Sequence, residues 1–359
     1  MSMQDSRSTR LSRREAIGLL GLGAGLAFVP GVRGAKLTFP KGAIIRTLFQ
    51  DVPPESMGKG TILFHEHLSL DLPQFGPRPA NAPPPQPAPS LNVDLIVEQV
   101  KAAAKDGVAC IVDGGHPDMN RKLENLKEIA NRTGMLVVAS GGYYMERAYP
   151  PDIAAKTEDR IADDLVREAN AQRLGAFGEI GENPDAAMSP EERKVFRAVG
   201  KAHLGTNLPI FTHNAYGTGP NVPRDAGLHQ LDVLESVGVK PQHVVIGHSC
   251  CLDDPKADVI KRIAKRGAFV GFDRVTAGRV PDDKKVTMLL AFFDAGYADR
   301  LLLSSDSVGA RTLDAPAYGR TVTGFVPKLR QAGVKEETIQ GILVDNPRRF
   351  LAFVPKKSS

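Results

Sequence analysis

The segment Phe64-His65-Glu66-His67-Leu68 sets two imidazoles two residues apart. At that spacing one face of a β-strand aims both at a single point while Glu66 points away. Two imidazoles so placed can share one divalent ion. Alone, the pair fits a structural role equally well. What weighs against that role is the set of residues at the other strand ends. Glu179 closes the apolar run 175–180, His213 closes 208–213, His248 closes 243–248, and Asp306 follows directly on 300–305. An ionisable group at the end of an apolar strand is costly to bury unless it meets a cation. Four imidazoles and two carboxylates in equivalent places therefore point to a metal centre, and the mixed nitrogen and oxygen donors favour zinc.

A repeating element would position these residues. Eight apolar runs rich in β-branched residues occupy 61–68, 108–113, 135–139, 175–180, 208–213, 243–248, 268–272 and 300–305. Between most of them lie segments of helical period, among them 95–105, 123–132, 191–204, 228–237, 256–266 and 286–295. Strand then helix at intervals of ~25–40 residues marks parallel βαβ units, and eight such units fit one (β/α)₈ TIM barrel. Barrel enzymes carry their chemistry at the carboxyl ends of the strands, where all six candidates fall. The competing doubly wound α/β sheet would need a glycine-rich phosphate loop after its first strand, and His65-Glu66-His67 stands there instead. Residues 73–90, with Pro83-Pro84-Pro85, form a Pro-rich insertion after strand 1, read as an extended loop at the barrel mouth. A helix over 335–343 should stop before Asp345-Asn346-Pro347. The domain plan is a leader at 1–34, a barrel at 35–355 and a frayed tail at 356–359.

The 359 residues, 42% of them hydrophobic, are enough to bury one large core. The net charge of +5 shrinks once the leader's Arg7, Arg10, Arg13, Arg14 and Arg33 are set aside with Asp5 and Glu15. The remaining 41 basic and 39 acidic residues give nucleic acid no electrostatic foothold. The leader reads as an address. Ser12-Arg13-Arg14-Glu15-Ala16 precedes a weakly apolar stretch diluted by Gly18, Gly21, Gly23 and Gly25, as in a Tat-type (twin-arginine) signal peptide. That stretch is shorter than the ~20 residues a spanning helix needs. Stable membrane insertion is therefore not expected, and the mature chain should be periplasmic or secreted. Cys110, Cys250 and Cys251 are odd in number with two adjacent, which argues against a disulfide framework. Cys250 and Cys251 either line the site or are small buried residues at a strand end. His116, after the second run, is read as a surface histidine.

Several segments together resemble the phosphotriesterase-like branch of the amidohydrolase superfamily, which includes phosphotriesterases and lactonases. They are Phe64-His65-Glu66-His67, Thr212-His213-Asn214, Ile246-Gly247-His248-Ser249, Gly271-Phe272-Asp273-Arg274, Ser304-Ser305-Asp306 and Asp345-Asn346-Pro347-Arg348-Arg349-Phe350. The resemblance runs from about Gly60 to Phe353. It implies two divalent ions, with His65, His67 and Asp306 on the more buried one and His213 and His248 on the more exposed one. A bridging residue and a bridging hydroxide would lie between them. The best-known members carry a carboxylated lysine at the bridge; here Glu179 holds that place, with Glu182 three residues on as the alternative. Tyr143 and Tyr144, after Ser140-Gly141-Gly142, face the same rim, and the resemblance gives Tyr143 a contact with substrate or hydroxide, beside a packing role. Asp273 and Arg274, at the end of the seventh strand, are read as substrate contacts or loop braces.

Two such ions ~3.5–4 Å apart acidify a shared water at neutral pH. The hydroxide would attack an ester or lactone carbonyl or an organophosphate triester, with Asp306 orienting it and accepting its proton. No Gly-x-Ser-x-Gly elbow offers a serine nucleophile instead. The same site would serve an amide (N-acyl) hydrolase. A TatD-like metal-dependent nuclease shares His-x-His and Phe177-Gly178-Glu179-Ile180-Gly181, but the strand-eight Ser304-Ser305-Asp306 and the missing basic stripe weigh against it. A non-catalytic scaffold would have little use for six polar groups on an apolar rim. The expected partner is a small molecule, and oligomeric state is open between monomer and homodimer. The loops 275–284 and 307–324 should wall the pocket, where Arg279, Arg311, Tyr318 and Arg320 leave room for a polar or anionic group.

Overall fold

The computed structural model describes residues 37–72, 86–183, 187–214, 216, 223–315 and 317–356. The leader, most of the Pro-rich insertion and all but the first residue of the tail lie outside the described residues. Two short strands, β1 (Ile45–Arg46) and β2 (Asp51–Val52), pair antiparallel ahead of the barrel. Eight parallel strands follow: β3 (Thr61–Glu66), β4 (Val108–Asp113), β5 (Leu136–Gly141), β6 (Ala176–Ile180), β7 (Ile210–Thr212), β8 (Val244–Ile246), β9 (Phe269–Phe272) and β10 (Leu301–Leu303). Each pairs with the next in chain order, and helices alternate with them to make a (β/α)₈ TIM barrel.

Strand alternation sorts the side chains into two cores. Ile62, Phe64, Cys110, Val112, Val138, Ala176, Phe211, Val245, Phe269 and Leu302, drawn from all eight strands, fill the barrel interior. Their neighbours in sequence, such as Leu63, Ile111, Val137, Phe177 and Leu303, face the helices instead. Burying each such large side chain contributes ~1.5–3 kcal/mol. Ile45, Val52, Phe350 and Leu351 join the interior cluster, so the β1–β2 ribbon and the C-terminal helix plug the end opposite the candidate site.

The sheet closes between β3 and β10 through groups next to the candidate ligands. His67 N–H donates to Ser307 O at 2.9 Å, and Asp306 N–H donates to His65 O at 3.2 Å. The buried Glu66 carboxylate accepts from the Ser304 and Ser305 hydroxyls and from the Ser305 and Ser307 amides, at 2.7–3.0 Å. Burial raises the Glu66 pKa to about 7, and those donors only partly offset it. The glutamate that points away from the ligand face is thus the latch of the barrel.

Helices Val93–Lys105, Leu123–Thr133, Pro190–Thr206, Ala226–Glu235, Asp258–Lys265 and Asp282–Asp294 occur where the periodicity places them. The structure adds Glu158–Gln172 between β5 and β6, capped by the Thr157 hydroxyl accepting from Arg160 N–H. The C-terminal helix corrects the expected stop before Asp345-Asn346-Pro347. A wide π-turn over Gly341–Asp345 joins Glu336–Gln340 to Asn346–Leu351 without a break. Pro347 sits in the first turn after that widening, where a missing N–H costs little. The buried Asn346 amide donates to Ala298 O and Leu301 O, tying this helix to the start of β10.

Candidate metal centre

Regular alternation along β3 and β6 would turn three of the candidate ligands the wrong way. Phe64 and Ala176 both face the barrel interior, so His65, His67 and Glu179 should face outward by simple parity. In each strand a register irregularity resets the count. The β3–β4 ladder slips between Leu63 and Glu66, and the β6–β7 ladder slips between Phe177 and Ile180. Gly178 makes the second slip with φ near 150°, and a Cβ there would lie 2.6 Å from the Phe211 carbonyl oxygen. His248 and Asp306 are aimed by left-handed backbone, both with φ of 50°. Such non-glycine conformations persist where surrounding structure holds them, and they cluster at functional sites.

The six side chains converge. His213 Nδ1 and His248 Nε2 lie 2.9 Å apart and 2.6 and 2.9 Å from Glu179 Oε1. Glu179 Oε2 lies 3.4 Å from the Nε2 atoms of both His65 and His67, and Asp306 Oδ1 lies 3.1 Å from His67 Nε2. Glu179 thus turns one oxygen to each pair of imidazoles. Donor atoms of His65, His67, Glu179 and Asp306 all lie within 4.8 Å of one another, as do those of Glu179, His213 and His248. Gly114 lines this space, and a Cβ there would approach the His65 ring to 2.9 Å.

Asp273 takes a role other than substrate contact. It is fully buried, and its two oxygens accept from His65 Nδ1–H and His248 Nδ1–H, each at 2.9 Å. The His248 amide also donates to it at 2.8 Å. These bonds fix the tautomer of both rings and leave each Nε2 lone pair facing Glu179, as outer carboxylates do for metal-binding histidines. The buried Tyr318 likewise braces rather than walls the pocket, its hydroxyl donating to His67 O at 2.9 Å.

The imidazoles and carboxylates of the cluster shift one another's protonation. Burial alone would lower the His65 pKa, but Glu179, Asp273 and Asp306 more than reverse this, to about 9. Burial opposes protonation of His67 too, and Asp306 with Glu179 raises it to about 10. Burial works against the Glu179 charge, yet His65 and His213 hold its pKa well below the usual carboxylate range. Asp306 is lowered against burial by His67, then His65 and His248.

Around this centre Tyr144, rather than Tyr143, comes nearest the donor groups. Counting by twos from the inward-facing Val138 reaches Tyr144, not Tyr143. Tyr144 Oη lies 3.4 Å from His213 Nδ1, whereas the Tyr143 ring packs edge-on against Tyr149. Arg274 is partly exposed, with Nε 3.4 Å from Asp306 Oδ2. Its loop is organised by the buried Lys285, whose ammonium donates to Arg274 O, Ala277 O and Asp282 Oδ1. His116 is no surface residue: it is fully buried, between Asp118 and the Glu179 main chain. All three cysteines are free and buried, and Cys250 Sγ sits behind the centre, accepting from Arg274 N–H at 3.3 Å. Sequence reasoning missed Lys285 and the bracing by Asp273; it placed Tyr143 and Tyr144 on the same rim, and strand parity favours the second.

The phosphotriesterase family model matches residues 47–351. A phosphotriesterase homology protein of Escherichia coli is 30% identical over 81% of this chain and 97% of its own length. Its solved structure, with phosphate in the active site, superposes with a TM-score of 0.69 at 28% identity, covering 82% of this chain and 99% of that one. An aryldialkylphosphatase of Saccharolobus solfataricus is 29% identical over 83% of this chain and 96% of its own. An N-acetyltaurine hydrolase of Xenopus tropicalis is 23% identical over 86% and 98% respectively.

Proposed function

Because the chain belongs to the phosphotriesterase family and is a metal-dependent hydrolase, we propose that its centre holds two divalent ions, zinc first, bridged by Glu179. His65, His67 and Asp306 would complete the inner position, and His213 and His248 the outer one. The carrying observation is the convergence of six side chains into two donor groups that share Glu179. The residues fit such ions: His65 Nε2 is buried, faces Glu179 and has no hydrogen-bond partner. The donor set of imidazoles and carboxylates is that of hydrolytic zinc.

Bound ions would acidify a shared water and polarise the scissile carbonyl or phosphoryl oxygen. The chain's own groups do the rest. Asp306, at the partly exposed edge, orients the water and accepts its proton. Arg274 beside it favours the ionised carboxylate. Tyr144 walls the His213 side; burial raises its pKa well above the usual value, then Glu179 and Asp306 raise it further, so it stays a neutral donor. We propose esters, lactones or organophosphate triesters as substrates. The N-acyl amide reading is kept because N-acetyltaurine hydrolases are among the relatives. The nuclease reading gives way to the family match. A hydrolysis panel of lactones, aryl esters, N-acyl amides and aryl phosphotriesters on zinc-loaded protein tests the assignment. Turnover of none of them, by protein shown to carry its ions, would contradict it.

Ion loading should release protons. His65 and His67 hold theirs up to about pH 9 and 10 in the ion-free site, above the ordinary 6.5. At lower pH an ion must displace those protons, so affinity climbs with pH until that window is passed. Calorimetric titration with zinc in two buffers of different ionisation enthalpy should show net proton release at pH 7. Equal heats in both buffers, with affinity flat from pH 6 to 8, would contradict the ligand assignment.

We also propose that residues 1–34 direct export by the twin-arginine route. With Arg13→Lys and Arg14→Lys together, full-length precursor should stay in the cytoplasm. Undiminished periplasmic accumulation would count against that route.

A further inference from the structure

Glu179 owes little to the sheet that carries it. The β5–β6 pairing ends at Gly141 with Phe177, and the β6–β7 pairing skips from Phe177 to Ile180. The irregularity that turns Glu179 inward therefore also takes its peptide out of the ladder. Both of its main-chain groups are held instead by the loop after β4. Glu179 N–H donates to Gly114 O at 3.0 Å, and Glu179 O accepts from His116 Nε2–H at 3.1 Å. The second ring nitrogen of His116 lies 2.5 Å from Asp118 Oδ1. Asp118 Oδ2 accepts from Tyr144 N–H at 2.8 Å. The His116 and Asp118 side chains are buried to 0% and 1% exposure. One side-chain pair thus reaches the main chain of both Glu179 and Tyr144, which flank His213 from two sides.

We propose that His116 and Asp118 are a positioning dyad that fixes the Glu179 bridge and the Tyr144 wall around the outer ion position. The proposal rests on the two-ion reading of the centre and extends it to how the bridge is aimed. Neither residue touches the ions or the reacting atoms. Their effect passes through the Glu179 peptide and the Tyr144 amide, the way outer partners of metal ligands act. A bridging carboxylate must serve two ions at once, so a small rotation of its peptide weakens both bonds, and the outer ion, with fewer protein donors, is lost first.

The test separates the two contacts of His116. In His116→Gln the amide nitrogen occupies the place of Nε2 and can still donate to Glu179 O. In His116→Asn the amide reaches only the Nδ1 position and the Glu179 contact is lost. Zinc affinity of the weaker site and the visible absorption of the cobalt-substituted protein are measured for wild type and both variants. The expected result for His116→Asn is a weaker-site affinity lowered ~10–100-fold and a changed cobalt spectrum. His116→Gln should recover most of the affinity and the wild-type spectrum. Asp118→Asn, which keeps the shape of the pair, should also weaken the site, and it replaces His116→Asn if that variant does not fold. Folded His116→Asn or Asp118→Asn with wild-type affinity and spectrum overturns the dyad, as does His116→Gln behaving no better than His116→Asn. The wild-type control keeps the two claims apart: wild type taking up no second ion contradicts the two-ion reading, whereas unchanged variants beside a two-ion wild type contradict the dyad alone.

Discussion

Glu179→Gln is expected to lose the outer ion first and to lower turnover more than ~10²-fold, beyond the 10–100-fold typical of removing an outer partner. Glutamine keeps the size of the side chain, so the packing of this buried residue need not change. What disappears is one negative charge between four imidazoles, where Glu179 Oε1 meets His213 and His248 and Oε2 faces His65 and His67. Two dications there would share one anion fewer and repel more strongly in a medium that screens poorly. The matched control is Glu182→Gln. Burial and then Glu192 raise the Glu182 pKa to about 8, so this carboxyl is already neutral near pH 7. Its replacement should leave metal content and turnover near wild type. Metal analysis and steady-state kinetics on both variants decide the matter. Wild-type behaviour of Glu179→Gln alongside metal loss in Glu182→Gln would move the bridge to Glu182.

Asp306→Asn should separate binding from chemistry. Asn tolerates the left-handed backbone that Asp306 adopts, so local geometry survives the change. The inner position keeps His65, His67 and the Glu179 carboxylate. The proton acceptor is gone, however, and losing a positioned general base costs ~10²–10⁴-fold in turnover. The expected pattern is a fall of that size in kcat with KM little changed and most of the metal retained. A kcat within a few-fold of wild type, at full metal content, would remove Asp306 from the proton transfer.

Much of this site is legible in the chain because six ionisable residues end five apolar strands in the same way. The physics that makes a strand end apolar also makes a histidine or aspartate there conspicuous, so His65, His67, Glu179, His213, His248 and Asp306 stand out without a structure. Their orientation was less legible. His-x-His spacing places both rings on one face, but only the slip between Leu63 and Glu66 decides that this face is the barrel interior. Bulges of that kind carry no residue signature beyond a glycine such as Gly178. Tyr143 and Tyr144 both lie on the rim in the sequence, and parity from Val138 is what singles out Tyr144. His116 was misread because a histidine beside Gly114, Gly115 and Pro117 looks like a loop residue, whereas the loop folds inward to hold the Glu179 peptide. Asp273 shows a different limit: a carboxylate at a strand end reads the same whether it meets a ligand ring or a substrate. The continuous C-terminal helix was hidden because Pro347 signals a stop, and only the π-turn before it removes the conflict.

The most direct test is the metal content of protein purified without chelator, measured by elemental analysis against protein concentration. Two ions share the Glu179 bridge in this account, so the expected value is about two divalent ions per chain, with zinc predominant. Chelation should remove both together with hydrolytic activity, and added zinc should restore activity in step with the second equivalent. A reproducible content near zero, or full activity from protein that chelators have stripped, would contradict the account at its centre.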